Sequence, residues 1–468
     1  MNFHLPRLDP EKAYITSSLF LPKKHIREDP IRGALTFGLG KAMERRVLVK
    51  NHPHHIEVPR TFMTVARMME IGIPEVVDLR PTKFETTTLR PKSSFSLRPS
   101  QDALWGAFSK AEGGVLHAAC GSGKTVLGLY KMSQMQVPAL VVAPQHAHLK
   151  SWEEKLHQFF DMDGPVGWIE GKKMEYDREV VFATVQTLAK RAETGGLPPD
   201  FHLRFGVVLY DEVHHLSAEW FANSADVCAG ARFGLTATPK RNDMNEGVFF
   251  SHLGKVFFSD ETQELVPEVY VLETGVTLPD PMPRDVLDKT GALHFGKLYG
   301  WLGTHEARNK IIQREIDRQK KEGRVIYALS HSVEQVRLMA KANSAGCMEG
   351  DTPHADRLDQ LNTNDLVFAT MGVGTENYDK PELDCLFLLT PFKAQQHSNA
   401  PAFQQSSGRV LRPLAGKPTP RIIIVLDDIP ECRGLVLSLL REARRRGFSM
   451  KDQSTCQMAL RKPKGKGW

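Results

Sequence analysis

The sequence has few cysteines, and no two of them form a Cys-x-x-Cys pair. The six are scattered at positions 120, 228, 347, 385, 432 and 456, which argues against both a zinc site and a disulfide framework. No apolar run approaches the roughly 20 residues needed to cross a bilayer. The first residues lack the charged-then-apolar order of a signal peptide. We therefore expect an intracellular, cytoplasmic protein with no membrane partner.

The chain also lacks an even distribution of charge. Its 468 residues carry a formal net charge of +6 at pH 7. Residues 1–98 hold 17 Lys and Arg against 10 Asp and Glu, and residues 441–468 hold 9 against 2, so the centre of the chain is net acidic. Basic ends favour a polyanionic partner such as a nucleic acid. A solvated basic surface would give the same pattern, so charge alone leaves both interpretations open.

Short apolar runs recur along the chain, and each is followed by small or polar residues. Such runs end near residues 117, 142, 183, 210 and 235, and a second series ends near residues 329, 369, 389 and 426. Continuous apolar strands that alternate with helical segments are typical of a parallel sheet covered on both faces. Ligands bind such sheets beyond the carboxyl ends of the strands, where these polar residues fall. The pattern predicts an α/β fold with two tandem parallel-sheet domains.

The domain boundaries follow from length and composition. A chain of 468 residues suggests about three domains. We predict a small basic α+β domain over residues 1–94, sheet domains over residues 95–280 and 281–450, and a basic tail over residues 451–468. The boundary at 280 rests on the proline-rich segment 278–283. Within the first domain, the pattern predicts a strand at residues 47–50 and a helix at residues 60–70.

A phosphate-binding loop is predicted between the first strand and the first helix of the first sheet domain. Residues 118–125 fit the pattern at every position except the first, where alanine replaces glycine. The glycines let backbone N–H groups close on phosphate oxygens, Lys124 places a cation at the outer phosphates, and the Thr125 hydroxyl can ligate Mg²⁺. The predicted nucleotide-binding residues are Ala118, Ala119, Cys120, Gly121, Ser122, Gly123, Lys124 and Thr125.

Two carboxylates follow a buried strand of the same domain. Asp211 and Glu212 come directly after four apolar residues, where a carboxylate is costly to bury unless it meets a cation. Beside Mg²⁺ and phosphates, Asp211 is suited to hold the metal through water, and Glu212 is suited to orient and deprotonate the attacking water. Upstream of the loop, the Gln101 amide can pair with an adenine edge, although an ordinary helix start would also explain it.

Two arginines near the end of the second sheet domain are candidates for phosphoryl transfer. Arg409 and Arg412 are three residues apart, which predicts one face of one helix. Arginines that reach a nucleotide held by the other domain can raise the rate by about 10³ to 10⁵. On this hypothesis, closure of the two domains depends on ATP. Surface arginines on an amphipathic helix are the alternative for this segment in isolation.

Taken together, these motifs resemble the superfamily 2 helicases and translocases of the DExH type, over roughly residues 95–440. They occur in the order of that family, at residues 98–101, 118–125, 144 onward, 184–186, 211–214, 236–238, near 330, 369–379 and 405–412. The resemblance implies two tandem RecA-like domains that use ATP and Mg²⁺. One departure lies at residues 376–379, which read Glu-Asn-Tyr-Asp where the family has Glu-Gly-x-Asp.

The resemblance also implies a role for each matching residue. The catalytic residues it implies are Lys124, Asp211, Glu212, Gln405, Arg409 and Arg412, with Thr125 and Asp211 on the metal. It adds Arg98, Gln101 and Asp379 to the nucleotide site. For contact with a nucleic-acid strand it implies Pro144, Thr184, Gln186, Thr370 and Lys393.

The compact size, the small N-terminal extension and the lack of large insertions look like the phage branch-migration helicases of the UvsW type. That finer resemblance implies an ATP-dependent DNA helicase or translocase that remodels branched or forked DNA in replication, recombination and repair. It also implies a monomeric motor that works in the host cytoplasm. Two alternatives stay open: a helicase of RNA or RNA–DNA hybrids, and a nucleotide-gated nucleic-acid-binding protein that does not translocate.

Overall fold

The structure is a computed structural model that describes residues 8–39, 44–119, 121–213, 218–237, 246–260, 265–374, 380–392 and 401–451. The chain divides into two units, Met1–Thr262 and Gln263–Trp468. Within the described residues, no helix is both long and apolar enough to span a membrane.

The first unit begins with a small mixed sheet. The elements of this part of the chain are β1 (Ala13–Ile15), β2 (Ser18–Pro22), α1 (Glu28–Ala34), β3 (Thr36–Leu39), β4 (Glu44–Val47), β5 (Lys50–Asn51), β6 (His55–Pro59), α2 (Val65–Glu70), β7 (Val76–Asp78) and β8 (Arg90–Pro91), of which β3 and β4 pair with each other outside the sheet. The sheet order is β5-β6-β2-β1-β7, and only β1 and β7 are parallel. The predicted α+β character of this region is therefore present. The predicted strand at 47–50 is split between β4 and β5, and the predicted helix starts later, because the Thr64 side chain caps α2.

The small sheet is joined to the larger sheet of the first unit by polar contacts. The Arg60 guanidinium donates to the carbonyls of Ala229 and Gly230 at 2.6 and 2.9 Å. In return, the buried Arg232 donates to the Ser17 carbonyl at 2.5 Å. Both sheets lie in the same unit, Met1–Thr262. The structure therefore differs from the predicted separate domain over residues 1–94, because guanidinium groups tie that region to the start of a core strand.

Replacing Arg60 with methionine is expected to destabilise the first unit. The change keeps the length of the side chain and removes two hydrogen bonds to backbone carbonyls. Hydrogen bonds from charged groups contribute about 1.5 to 3 kcal/mol each, so we expect the loss of both bonds to lower the free energy of unfolding by about 3 to 6 kcal/mol. Urea denaturation of the variant and the wild type measures this change in the free energy of unfolding. Arg67→Met is the matched control, since Arg67 pairs with Glu70 on an exposed helix. Equal stability of the two variants would contradict the conclusion that Arg60 holds the small sheet against the larger one.

The larger sheet of the first unit follows the predicted order of strands and helices. The elements of this part of the chain are α3 (Asp102–Lys110), β9 (Gly114–Ala118), α4 (Lys124–Met135), β10 (Ala139–Ala143), α5 (His146–Phe159), β11 (Phe160–Asp161), β12 (Gly167–Glu170), β13 (Lys173–Met174), β14 (Val180–Thr184), α6 (Val185–Thr194), α7 (Phe201–Arg204), β15 (Val207–Asp211), α8 (Ala218–Ala225), β16 (Ala231–Thr236), α9 (Glu246–Leu253) and β17 (Val256–Asp260), of which β11 pairs with β8 outside the sheet. The order is β13-β12-β14-β10-β15-β16-β9-β17. All described neighbours pair in parallel except β12 and β13.

The second unit contains a seven-stranded parallel sheet. Its elements are β18 (Glu268–Glu273), α10 (Phe295–Thr304), α11 (Glu306–Lys321), β19 (Ile326–Ser330), α12 (Val333–Asn343), β20 (Gly346–Met348), α13 (His354–Thr363), β21 (Leu366–Thr370), α14 (Met371–Gly374), β22 (Cys385–Leu388), α15 (Pro401–Val410), β23 (Arg421–Leu426), α16 (Pro430–Arg445) and β24 (Ser449–Met450). The order is β20-β21-β19-β22-β23-β18-β24. The predicted boundary at residue 280 was wrong, because β18 precedes it and pairs with β23 and β24.

Both large sheets are covered on their two faces. Leu140 and Val141 are neighbours on β10 and point to opposite faces, yet each is fully buried. Ile422 and Ile423 on β23 show the same arrangement with at most 1% exposure. This explains why the strands are continuous apolar runs rather than alternating ones. It also leaves the carboxyl ends of the strands as the edge where polar side chains collect.

Candidate active site

The loop between β9 and α4 depends on two glycines in the left-handed region. Gly121 and Gly123 each have a φ of +82°. A Cβ atom on Gly123 would lie 2.3 Å from the Gln101 amide nitrogen. A side chain at this position would therefore be strained by backbone conformation and by contact. Within the described part of the loop, Ser122 and Gly123 lead directly into the first turn of α4, where Lys124 and Thr125 stand.

The segment before α3 holds this loop from the outside. The Arg98 guanidinium donates to the Gly121 carbonyl at 3.0 Å, and the Gln101 amide nitrogen donates to the Ser122 carbonyl at 3.2 Å. The Gln101 amide oxygen in turn accepts from the Arg98 backbone N–H at 3.0 Å. The two residues thus fix the carbonyl side of the loop, while the backbone N–H groups of Ala119 and Ser122 donate to the carbonyls of Asp260 and Ala119 at 3.0 and 3.3 Å. Reading of adenine by Gln101 stays a prediction.

Lys124 and the carboxylate pair lie in one electrostatic neighbourhood. The Lys124 ammonium is buried and donates to the carbonyls of Ala118 and Ala119 at 3.0 and 3.1 Å. Asp211 ends β15 and is only 4% exposed. Burial, and then repulsion from Glu212, raise the pKa of the Asp211 carboxyl above its ordinary value, while Lys124 acts in the opposite direction. The sheet therefore brings the predicted phosphate-binding cation and the predicted metal ligand together.

Glu212 has a backbone conformation that few side chains adopt. Its φ is +46°, one of three positive values at non-glycine residues in the described chain. Such a conformation costs on the order of 1 to 3 kcal/mol and persists where the surroundings impose it, often at functional sites. Here the backbone N–H of Glu212 donates to the Asp211 carboxylate at 3.0 Å. The turn therefore gives the two consecutive carboxylates different settings, with Asp211 buried and Glu212 partly exposed.

The donor set fits a divalent cation. A buried carboxylate with a raised pKa, a second carboxylate beside it and a hydroxyl at the start of a helix are oxygen ligands of the kind that Mg²⁺ prefers. Thr125 and Asp211 would hold the ion. Because the Asp211 carboxylate is already buried, a cation would offset a charge that the fold otherwise leaves poorly solvated.

Three residues near the site were not predicted from the sequence. Trp152, on α5, donates its indole N–H to the Asp211 carboxylate at 2.8 Å. His148, one turn earlier on the same helix, is 8% exposed and acts electrostatically on Asp211. His117, on β9, places Nε2 3.1 Å from the carbonyl oxygen of Ala237. Helical spacing of His148 and Trp152 after the Ala143 strand end was the one available signal, and it is equally typical of a core helix.

The predicted strand-contact residues occupy matching places in the two sheets. Thr184 ends β14 and pairs with Ala143 at the end of the neighbouring β10. Thr370 ends β21 and pairs with Ser330 at the end of the neighbouring β19. Both threonines end a Phe-Ala-Thr segment and are partly exposed. In each sheet, therefore, one threonine hydroxyl group stands at the same edge in the same register.

The other predicted contacts on the first sheet stand nearby in the chain. Pro144 directly follows β10 and is partly exposed, and Gln186 is exposed in the first turn of α6. The Thr184 side chain also caps that helix by accepting from the Thr187 backbone N–H. Backbone and side chains at the start of α5 and α6 thus share the edge that carries Thr184.

The second arginine is not on the predicted helix face. Helix α15 ends at Val410, so Gln405 and Arg409 lie on it, but Arg412 lies beyond its end. Its backbone carbonyl accepts from the Lys417 ammonium at 2.9 Å. The expectation of one face was wrong because the Arg-Pro sequence at 412–413 disfavours a helical conformation at Arg412. Arg409 itself is 5% exposed.

Several predicted residues lie outside the described residues. They are Cys120 in the phosphate loop, His214 and Thr238 in the motifs after β15 and β16, and Asp379 and Lys393 in the second unit. Their assignments stay predictions.

Residues 88–241 match the family described as type III restriction enzyme, res subunit. The chain is 25% identical to the DNA 3′–5′ helicase XPB of Kineococcus radiotolerans, over 72% of this chain and 60% of that protein. It is 23% identical to the probable helicase D10 of Escherichia phage T5, over 75% of this chain and 77% of that protein. The solved Mycobacterium smegmatis helicase Lhr bound to ssDNA and AMP-PNP aligns with a TM-score of 0.50 and 14% identity, over 76% of this chain and 49% of that one.

These similarities confirm the tandem RecA-like fold. The chain spans 60%, 55% and 50% of the length of the first three curated relatives, all of them named as XPB-type or Rad25 DNA helicases. Nothing in them selects the UvsW type within the superfamily. The chain is thus similar in sequence to proteins named as XPB-type and Rad25 DNA helicases, and its residues 88–241 match the family described as type III restriction enzyme, res subunit.

Proposed function

We propose that the chain is an ATP-driven DNA helicase or translocase that remodels branched DNA, by fork regression, branch migration of Holliday junctions or D-loops, and unwinding. The observation that carries the proposal is the meeting of Lys124, Asp211 and Glu212 at the carboxyl edge of one sheet. The names of the relatives support a DNA substrate and a 3′–5′ polarity. The same role would place the protein in replication, recombination and repair.

In this proposal, ATP binds at the loop after β9. Backbone N–H groups where the loop enters α4 and the Lys124 ammonium would bind its phosphates, and Arg98 and Gln101 hold the loop in shape. Mg²⁺, held by Thr125 and Asp211, would supply charge neutralisation at the outer phosphates. Glu212 would orient the attacking water and accept its proton. Burial of Asp211 keeps the metal ligand away from bulk water, which strengthens these interactions.

The second unit would contribute groups that the first lacks. Arg409 and Arg412, with Gln405 on the same helix as Arg409, would act on the nucleotide when the two units close, with Asp379 as a further nucleotide contact. Cations that arrive only on closure can account for about 10³ to 10⁵ of the rate. The hydrolysis step and the movement of the units would then depend on each other.

One DNA strand would bind across the matching strand ends of the two units. Thr184 and Thr370 would contact phosphates, joined by Pro144, Gln186 and Lys393. Phosphate contacts position a strand without reading its sequence, so the protein would act on DNA of any sequence and lose affinity as salt rises. Alternate closing and opening of the units on ATP would move the strand from one threonine to the other.

The basic N-terminal region would bind the duplex or the junction. Its excess of positive charge is the feature that supports branched DNA, rather than a plain single strand, as the substrate. Residues 1–98 carry an excess of basic side chains and are tied to the first unit through Arg60 and Arg232. A duplex held there would stay in fixed relation to the motor sheet. We further propose that the protein works as a monomer in the cytoplasm, of the host if it is of phage origin.

A panel of nucleic acids tests the proposal. We expect ATP hydrolysis to need Mg²⁺ and DNA, and unwinding or branch migration to be faster on forks, four-way junctions and D-loops than on plain duplexes. Preference for RNA or RNA–DNA hybrids would support the alternative helicase. Nucleotide-dependent binding without any strand displacement would support a gated binding protein instead. Hydrolysis that ignores every nucleic acid would contradict the proposal as a whole.

Thr370→Val is expected to weaken DNA binding. The change keeps the shape of the side chain and removes one hydroxyl donor, so a loss of about 1 kcal/mol, or fivefold in affinity, is expected. The DNA concentration that gives half-maximal ATPase should rise accordingly. Thr363→Val is the control, since Thr363 is exposed and its hydroxyl donates to the Asp359 carbonyl of its own helix. Identical behaviour of the two variants would remove Thr370 from the proposed contact.

A further inference from the structure

Trp152 joins three elements of the nucleotide site through one side chain. Its indole N–H donates to the Asp211 carboxylate at 2.8 Å, and the ring is 1% exposed. The ring sits on α4 at Gly128, where an added Cβ would lie 2.5 Å from its nearest ring atom. Gly128 follows Lys124 by four residues on α4, so the two lie on one face of that helix. A single ring thus contacts the helix of the phosphate loop and the metal-binding carboxylate.

The hydrogen bond leaves Asp211 with little choice of orientation. One of its carboxylate oxygens accepts from Trp152 and the other from the Glu212 backbone N–H. Hydrogen bonds to ionised groups are among the strong ones in proteins, and those inside a buried site are strongest. The remaining lone pairs of both oxygens are therefore held in a set direction. Sequence patterns assign no such role to Trp152.

The helix that carries Trp152 starts at the predicted DNA edge. Helix α5 begins at His146, two residues after Pro144. Its buried face includes Trp152 and His148, and His148 also acts on Asp211. A small displacement of α5 at its first turn would move Trp152 with the helix. Because the indole ring packs closely against Gly128 and cannot rotate there, its N–H group would then shift the Asp211 carboxylate.

We propose that Trp152 is a positioning residue that orients the Asp211 carboxylate and couples DNA contact at the start of α5 to binding of the Mg²⁺–nucleotide complex. The coupling to DNA contact at the start of α5 rests on the proposed function. The role of Trp152 at the metal rests only on the proposed binding of Mg²⁺ and nucleotide within the first unit, so it can be tested without DNA.

Trp152→Phe separates the N–H group from the aromatic ring. We expect the Kd for a non-hydrolysable ATP analogue to rise about tenfold in the presence of Mg²⁺, because one charge-assisted hydrogen bond to the Asp211 carboxylate is lost. In EDTA, where no Mg²⁺ is bound, the Kd should change little. Stimulation of ATPase by DNA should fall as well. The control is Trp168→Phe, which also removes a buried indole N–H, donated there to Glu153 at 3.3 Å. Equal Mg²⁺-dependent affinity in the two variants would overturn the proposal.

A second pair of variants separates positioning from packing. Gly128→Ala should displace the indole and lower both thermal stability and Mg²⁺-dependent affinity. In the double variant Gly128→Ala with Trp152→Phe, the smaller ring makes room for the new methyl group. We expect stability to recover and affinity to stay low, because the N–H is absent. Recovery of both would show that Trp152 only packs. If the wild-type ATPase ignores DNA, the proposed function fails, while the Mg²⁺ comparison still decides the role of Trp152.

Discussion

Replacing Glu212 with glutamine is expected to stop ATP turnover while ATP still binds. The change keeps the size of the side chain but replaces one carboxylate oxygen with an amide NH2 group, which removes the base that accepts a proton from water. General base catalysis contributes about 10² to 10⁴ in rate, so we expect kcat to fall by at least two orders of magnitude. The positive φ of Glu212 is set by the backbone and the Asp211 contact, so the fold should not change. Phosphate release measures turnover, and a fluorescent nucleotide measures binding.

Glu153→Gln is the matched control for that change. Glu153 lies on α5 in the same unit, pairs with Lys150 and accepts from the Trp168 indole. Its loss should leave kcat within about twofold of the wild-type value, because a surface ion pair contributes little. Hydrolysis near the wild-type rate in Glu212→Gln would assign the base to another residue.

Replacing Lys124 with alanine is expected to abolish both ATP binding and hydrolysis. The ammonium is the one buried side-chain cation at the start of α4 in the described structure. In a buried site, its interaction with phosphates is far stronger than in water. Its bonds to the Ala118 and Ala119 carbonyls can be exchanged for bonds to phosphate oxygens without a change of fold. We expect the Kd for ATP to rise at least 100-fold, as measured by titration calorimetry.

Lys131→Ala provides the contrast on the same helix. Lys131 is also buried, and its ammonium donates to the carbonyls of Phe108, Ser109 and Ala111 at the end of α3. Its loss leaves those carbonyls unsatisfied, so thermal stability should drop while nucleotide affinity stays within a few-fold of the wild type. Loss of ATP binding in both variants alike would mean that α4 tolerates no change, and that Lys124 has no special role.

Most of the sheet structure could be predicted from the sequence because strands buried on both faces leave an unambiguous apolar run. The runs ending near 142, 183, 210 and 235 all became strands of one parallel sheet. The phosphate loop was predictable for a similar reason, since glycines with positive φ and a following lysine are required locally. Local requirements of this kind are written in consecutive residues.

The boundary between the units was not predictable in the same way. Residues 268–273 form an apolar run like any other. Whether such a run joins the sheet before it or the sheet after it depends on which edge strand it pairs with. Here the partners are β23 and β24, more than 140 residues later in the chain. Arg60 poses the same difficulty, because its carbonyl partners lie 169 and 170 residues away.

The amino-acid sequence by itself determined the alternation of strands and helices, the phosphate loop and the acidic pair, because each is specified by neighbours along the chain. Only the tertiary structure decided that Trp152 holds Asp211, that Arg412 lies beyond its helix, and that the N-terminal sheet is docked through Arg60. These features depend on side chains that meet across 59 residues or more, or on where a helix stops. The spacing of residues along the chain does not predict such long-range contacts, because they are determined by packing in the folded protein.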